Sequence, residues 1–306
     1  MIPKRIFYVW GAGEELKRDA QICIQTWRQA MPDFEVIEIN ENSKLFFDFE
    51  KEINDNEWFR EVYNRRMFAY IADYVRLKVL YDHGGVYLDT DVSAIKTLKP
   101  FLSNLAFVGM QSAGLGKSYT EPAILGAEAG NQFLKRVIEF YQKDIWDEEI
   151  YTLPQVFNKI LNEEYGEIVF PDKDKQEIIT LTSITIYPEK YFIPFRFGTK
   201  FSPSCVEEDT HTIHWFSGSW CRPEIEFFLK NKHLTKKPIL FSRKSFSLIG
   251  LQLVEIISSK MSFKIILFKM FRLIEINQHK ESLYTNKIIV NIFGFSVASI
   301  SIRRWF

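Results

Sequence analysis

The chain has 306 residues, 46% apolar and 16% aromatic, with Lys+Arg and Asp+Glu balanced at 39 each, which is enough apolar side chain for one large core or two modest ones. Three scattered cysteines, Cys23, Cys205 and Cys221, exclude a disulfide framework or a structural zinc site and favour a reducing compartment. No apolar run reaches the ~18 residues of a simple transmembrane helix.

The N-terminus, Met-Ile-Pro-Lys-Arg-Ile-Phe-Tyr-Val-Trp, lacks a secretory apolar region with a small-residue cleavage site, so a cytoplasmic protein is expected. Arg5 to Trp10 is predicted as a strand, Gly11-Ala12-Gly13 as a turn, Leu16 to Ala30 as a helix and Glu35 to Ile39 as a second strand. This order describes a βαβ unit whose ligand side lies at the strand carboxyl ends, where Trp10 sits. On its own Trp10 reads equally as a ligand contact or a packing residue. Glu41 to Arg66 is polar and aromatic without clean periodicity, consistent with short surface helices.

Met67 to Tyr81 is predicted as a helix with Ala69, Asp73, Arg76 and Leu80 on one stripe, so Asp73 and Arg76 project together. Gly84-Gly85 can take the positive φ that ends that helix, and Val86-Tyr87-Leu88 are strand formers. If the strand continues, its period of two puts Asp89 and Asp91 on one face. Two such close carboxylates repel unless a cation or hydrogen-bonding ligand neutralises them. A hard divalent ion bridging them to a diphosphate would do so, although Asp-x-Asp alone is also ordinary solvated-turn chemistry.

Phe101 to Met110 reads as apolar β structure, and Gln111 to Thr120, with Gly114 and Gly116, as a flexible loop over the ligand. A helix is predicted from Gln132 to Lys143. In His211-Thr-Ile-His214-Trp215-Phe-Ser-Gly-Ser219-Trp220 one histidine could complete an octahedral site begun by Asp91, and Trp220 could cap the diphosphate. His214 alone reads equally as a satisfied half-buried imidazole.

Residues 223–306 carry 14 Lys+Arg against 5 Asp+Glu, a net of +9, leaving −9 on the first 222 residues. That acidic balance weighs against a nucleic-acid groove. Phe263, Ile266, Leu267, Met270 and Ile274 make an apolar stripe at helical spacing with Lys269 and Arg272 opposite, and Gln252, Glu255 and Ser259 a polar stripe on a preceding helix. The tail therefore reads either as a helical subdomain on the core or as a basic amphipathic surface at anionic lipid, ending in Arg303-Arg304-Trp305-Phe306.

The run Ala72-Asp73-(x)2-Arg76-(x)3-Leu80-Tyr81-(x)2-Gly84-Gly85-x-Tyr87-Leu88-Asp89-x-Asp91 resembles the signature of glycosyltransferase family 32, the Asp-x-Asp sugar-transferase family. That family includes bacterial capsule and O-antigen transferases and fungal mannosyltransferases, with glucosylating bacterial toxins as distant relatives. The resemblance covers about residues 2 to 222. It implies an α/β GT-A fold, a Rossmann-like mixed sheet flanked by helices, for a catalytic domain of residues 1–222; the mainly helical extension expected over 223–306 rests on periodicity alone. It also implies a retaining, Mn²⁺- or Mg²⁺-dependent hexosyltransferase taking a UDP- or GDP-hexose to a glycan or polyprenyl-diphosphate-linked acceptor, peripheral at the inner face of the cell membrane.

By the same resemblance Val9 and Trp10 hold the nucleotide, with the indole stacked on the base. Asp91 is the direct metal ligand and Asp89 contacts ribose, a sugar hydroxyl or a metal-bound water, with Tyr87 beside them. Asp73 and Arg76 orient the donor sugar. His214 is a metal ligand or diphosphate contact, Ser219 and Trp220 touch the donor, and His211 is a weaker candidate. Ile124 to Phe133 and Thr152-Leu153-Pro154 match looser family blocks, but Pro122 stands where the family usually has Asn, and Leu153 where glycine is commoner. Two readings from other classes stand beside this one: a catalytically inactive membrane-associated scaffold, against which Asp73, Arg76, Asp89 and Asp91 argue, and a metal-dependent nuclease or phosphatase.

Overall fold

In a computed structural model of the chain, strand alternation divides the first core between the two faces of one sheet. Ile6 and Tyr8 of β1 (Arg5–Val9) and Val86 and Leu88 of β3 (Gly85–Leu88) bury with Ile24, Trp27 and Met31, from and just beyond α1 (Arg18–Ala30). Phe7 and Tyr87, one residue out of phase, bury on the other face with Tyr74 and Leu77 of α4 (Phe68–His83). Full burial of each such side chain contributes about 1.5–3 kcal/mol. The residues described are 1–11, 13–114, 117–168, 170–171, 175–218, 223–230, 232, 242–248, 251–258, 262–267, 274–282, 285–292 and 295–303.

They fall into two units, Met1–Lys230 and Asn231–Phe306. The first holds a seven-stranded mixed sheet in the order β2-β1-β3-β6-β5-β8-β7, with β2 at Glu35–Ile39, β5 at Ala106–Gly114, β6 at Lys117–Ala127, β7 at Ile179–Thr180 and β8 at Thr185–Tyr187. β1 runs parallel to both β2 and β3, whereas β6 is antiparallel to β3 and β5. On the α4 face lie α2 (Phe49–Asp55), α3 (Glu57–Asn64), α5 (Gln132–Lys143) and α6 (Leu153–Tyr165), and on the other α1 and α7 (Glu189–Phe192). The expected Rossmann-like mixed sheet flanked by helices is present. A small second sheet pairs β4 (Val92–Ala94) with β9 (Thr212–His214), and the Trp27 indole N–H ties α1 to it by donating to the Val92 carbonyl at 2.6 Å.

Several expectations change. The loop predicted from Gln111 to Thr120 is the hairpin of β5 and β6, registered Met110 to Thr120 and Gln111 to Tyr119. The apolar stretch from Phe101 begins in a 3₁₀ turn, Lys99–Phe101, before β5. The boundary placed after residue 222 comes before α8 (Pro223–Lys230), whose Ile225, Phe228 and Leu229 bury in the first unit's core.

The mainly helical extension is instead a six-stranded antiparallel meander: β10 (Ser242–Leu248), β11 (Leu251–Ser258), β12 (Ser262–Leu267), β13 (Ile274–Ser282), β14 (Thr285–Ile292) and β15 (Phe295–Arg303). Runs such as Val-Glu-Ile-Ile and Lys-Ile-Ile-Val are rich in β-branched residues, and that preference outweighs the short 3.6-period match of the Phe263 to Ile274 stripe. Met270, Lys269, Arg272, Ser259 and Arg304 to Phe306 lie outside the described residues. Among the described residues no helix is long and apolar enough to cross a membrane.

Candidate functional site

The site begins where α4 stops. Gly84 and Gly85 have φ of +66° and +139°, and a Cβ on Gly84 would sit 2.9 Å from both the Ala129 nitrogen and the Pro3 ring, so glycine alone fits this turn into β3. β3 ends at Leu88 and does not run on through Asp91. Asp89-Thr90-Asp91 forms a tight turn, closed by the Val92 N–H donating to the Asp89 carbonyl at 3.0 Å. The turn, not strand alternation, brings the two carboxylates together.

Arg76 organises one side. It is only 4% exposed, and its Nη2 lies 3.1 Å from Asp73 Oδ1 and 2.9 Å from Asp89 Oδ1. Nη1 donates to the Pro122 carbonyl at 2.6 Å, and the guanidinium carbon lies 4.4 Å from the centre of the Tyr87 ring. The residue standing where the family has Asn thus contributes its backbone. With its donors so engaged, Arg76 positions carboxylates more than it offers itself to a ligand. Burial pushes Asp73 up to about 7 despite the nearby guanidinium, because Asp89 and Glu121 share the same cation. Burial likewise raises Asp89, with Arg76 pulling the other way.

Asp91 is held differently. Its Oδ1 lies 3.3 Å from His214 Nε2, its Oδ2 accepts the Ser217 N–H at 2.7 Å, and its carbonyl accepts the Trp215 N–H at 2.9 Å. β9 pairs Val92 with His214, which delivers the ring to Asp91 from far along the chain. Burial would raise the Asp91 carboxyl, but His214 and Ser217 outweigh it and hold it below the usual carboxylate range. Burial would lower His214, but Asp91 raises it on balance.

Among the described residues, Asp89, Asp91 and His214 each offer a ligand atom within 4.8 Å of the others. Two carboxylates and an imidazole suit a divalent first-row ion, Mn²⁺ more than the all-oxygen preference of Mg²⁺. Among the described residues the buried Nδ1 of His214 has no partner, so the ring's polar anchor is the Nε2 edge that faces the carboxylates. The residues present therefore fit such an ion.

The remaining expected residues divide. Val9 and Trp10 stand at the carboxyl end of β1, whose Phe7 pairs with Tyr87, so they share the sheet edge with Asp89. Trp10 is half-buried on the α1 side, with its indole N–H donating to the Glu14 carbonyl at 3.1 Å. His211 is not brought to the cluster: its Nδ1 lies 2.7 Å from the Thr97 carbonyl and its ring packs on Phe101. Thr152 and Gln155 form a capping box at the start of α6. Ser219 and Trp220 lie outside the described residues.

One site residue was missed. Glu121 on β6 stands beyond the Leu88–Ile124 pairing and faces His214, Asp89 and Arg76, and burial raises its pKa. Its Oε1 accepts the Ala123 N–H at 3.3 Å, and the Gln111 amide, oriented to satisfy its neighbours, donates to Oε2 at 3.2 Å. A glutamate preceding a proline, just past the predicted loop, gave no signal. Reading Tyr119 to Leu125 as a strand at the same sheet edge would have found it.

Comparison with known proteins follows the same geography. Residues 17–108 match the family described as glycosyltransferase sugar-binding region containing DXD motif. Over 143 residues the chain is 31% identical to inositol phosphoceramide mannosyltransferase 3 of Schizosaccharomyces pombe, covering 45% of this chain and 36% of that protein. Among solved structures it is similar to the PaToxG glycosyltransferase at 18% identity and a TM-score of 0.43, covering 54% of this chain and 70% of that one. It is also similar to the galactosyltransferase LgtC, solved with donor and acceptor sugar analogs, at 14% identity and a TM-score of 0.38, covering 72% and 87%. Trp10, Glu121 and His214 lie outside the matched segment, whereas Asp73, Arg76, Asp89 and Asp91 lie within it. The match to the DXD-containing sugar-binding region spans residues 17–108, and Asp89-Thr90-Asp91 is the Asp-x-Asp within it.

Proposed function

We infer that this protein is a retaining, metal-dependent hexosyltransferase of the GT-A type that moves a sugar from a UDP- or GDP-hexose to a glycan acceptor. The observation that carries this reading is the convergence of Asp89, Asp91 and His214 beside the Arg76-clamped pair of Asp73 and Asp89. Asp91 and His214 would hold Mn²⁺, with Asp89 ligating it or accepting from a bound water. When bound, such an ion stabilises the charge that builds on the departing diphosphate.

The protein's own groups supply the rest. Arg76 fixes the two carboxylates so that Asp89 and Asp73 can accept hydrogen bonds from sugar hydroxyls, and Glu121, held by Gln111, presents a further acceptor to the same space. Trp10 offers an indole for the base. Retention implies attack on the face that the diphosphate leaves. Glu121 has no place in that substitution beyond steadying the sugar.

We further assign the acceptor to a polyprenyl-diphosphate-linked glycan of capsule or O-antigen type, met at the cytoplasmic leaflet, with the +9 charge of residues 223–306 favouring anionic lipid at about 1 kcal/mol per Lys or Arg near the surface. Screening UDP-Gal, UDP-Glc, UDP-GalNAc, UDP-GlcNAc and GDP-Man for hydrolysis with and without Mn²⁺ tests the core of the reading. Hydrolysis of none of them, or undiminished hydrolysis in excess EDTA, would reject it. Removing residues 240–306 is expected to weaken sedimentation with anionic liposomes and leave donor hydrolysis intact.

A further inference from the structure

The segment that delivers His214 also carries aromatic side chains with no place in the chemistry above. Trp215 is 42% exposed and Phe197 49% exposed, so much of each ring faces solvent. They belong to one cluster. Phe195 lies 5.5 Å from Phe201, 6.1 Å from Trp215 and 5.4 Å from Phe216, measured between ring centres. Phe201 lies 5.0 Å from Trp215, and Phe197 5.6 Å from Phe216.

This cluster is continuous with the site. Phe216 packs 4.2 Å from the His214 ring and holds a φ of +55°, a conformation rare for a bulky residue. Such strain costs about 1–3 kcal/mol and persists where the surroundings over-determine it. The Trp215 indole is pinned at its edge, its N–H donating to Ser93 Oγ at 2.9 Å, which fixes the ring while leaving much of its surface to solvent. An exposed, fixed aromatic surface needs little ordering on binding.

We propose that Phe197 and Trp215 form a stacking platform for a sugar ring of the acceptor. The deduction rests on reading the site as a nucleotide-sugar transferase. The donor's positions are then already assigned: the base at Trp10, the diphosphate at Asp91 and the sugar beside Asp89, Asp73 and Glu121, all on the β1-β3-β6 side. The platform borders that sugar position, because Phe216 packs on His214 and the Phe197 N–H donates at 3.2 Å to the Gln111 amide that holds Glu121, and the reactant that must lie beside the donor sugar is the acceptor. A pyranose has a face of C–H bonds that packs on an aromatic ring while its hydroxyls stay hydrated, and Arg196 and Lys200, both exposed in the same segment, supply donors for those hydroxyls.

The test uses the full chain, the donor identified by hydrolysis, and methyl α- and β-glycosides of glucose, galactose, mannose and N-acetylglucosamine as acceptors. Transfer to the preferred glycoside is expected to fall about tenfold in Phe197→Ala and Trp215→Ala, a change of about 1.4 kcal/mol. Trp215→Phe should recover most of it. Phe197→Ala should leave donor hydrolysis and its Mn²⁺ dependence unchanged. In parallel, the Trp215 indole N–H resonance, assigned by its loss in Trp215→Phe, should shift on titration with the same glycosides.

The platform is overturned if that resonance stays put with every glycoside, or if transfer survives both alanine substitutions. It is equally overturned if the substitutions abolish sedimentation with phosphatidylglycerol vesicles while transfer to soluble glycosides continues, since the surface would then be a lipid contact. Should the wild type hydrolyse no nucleotide-sugar, the functional reading fails, and the resonance still decides the platform.

Discussion

The two aspartates of the site, two residues apart, are held by opposite strategies. Asp89 leans on Arg76, a permanent cation buried between α4, β3 and β6 and shared with Asp73. Asp91 leans on His214 and the Ser217 N–H, a titratable ring and a backbone donor brought from far along the chain. The guanidinium cannot shed its charge, so its half of the site is locked once folded. The imidazole can, so the other half is able to exchange a proton for a metal ion.

The largest expected effect breaks the locked half. Arg76→Ala leaves Asp73, Asp89 and Glu121 without their common cation in a buried setting, and removing one partner of such a pair typically costs about 3–5 kcal/mol. Urea unfolding should show a loss of that size, with Arg76→Lys recovering only part because an ammonium cannot reach Pro122, Asp73 and Asp89 together. An unchanged midpoint would mean that Arg76 serves ligands and not the fold.

The exchangeable half should respond to the converse change. Asp91→Asn removes a proposed ligand, but His214 can then lose its proton and the Asn oxygen can still accept the Ser217 N–H, so melting of the metal-free protein is expected to fall less than in Arg76→Ala. Binding of Mn²⁺, followed by its paramagnetic resonance signal, should weaken by at least the roughly 10–100-fold that changes around a metal site cost. Equal losses of stability in Asp91→Asn and Arg76→Ala would erase the distinction between the halves.

The locked half is also the legible half. Asp73, Arg76, Tyr87 and Asp89 lie within 17 consecutive residues, and helix periodicity followed by Gly84-Gly85 nearly fixes their placement. His214 could be named from resemblance, but the β4–β9 pairing that aims it is non-local, and nothing near His214 separates it from His211 except that partner strand. Glu121 was invisible for the same reason: its neighbours are fixed by pairing with β3 and β5, and Gly114 and Gly116 suggested a loop. The tail misled by period, since a few apolar residues satisfy a helical stripe and a β-branched strand alike.

At the far edge of the site a smaller effect is expected. Trp10→Ala should weaken binding of UDP or GDP by about 1–3 kcal/mol if the indole stacks on the base. Trp10 is half-buried, and if packing is its main task, calorimetry will find nucleotide affinity intact and melting will show the loss instead.

The smallest expected effect is graded, and it follows the proton on His214. Its folded pKa lies above the ordinary value near 6.5, so the stability it gives through Asp91 is fully present below about that pH and is lost as pH rises through the folded value. Asp91, held below its ordinary range, adds stability present above about pH 4 and lost as pH falls through its folded value. Metal binding needs the neutral ring, so Mn²⁺ affinity should run against the metal-free stability: near-constant above the folded pKa, and falling about tenfold, or 1.4 kcal/mol, per pH unit below it. Asp73, raised to about 7, lowers stability as pH climbs from about 4 toward 7. The two are separable because Asp73→Asn should flatten the stability profile and spare the pH slope of Mn²⁺ binding, whereas His214→Gln should weaken the metal and remove that slope. A slope that persists in His214→Gln would move the exchangeable proton to one of the carboxylates and make the two halves of the site alike.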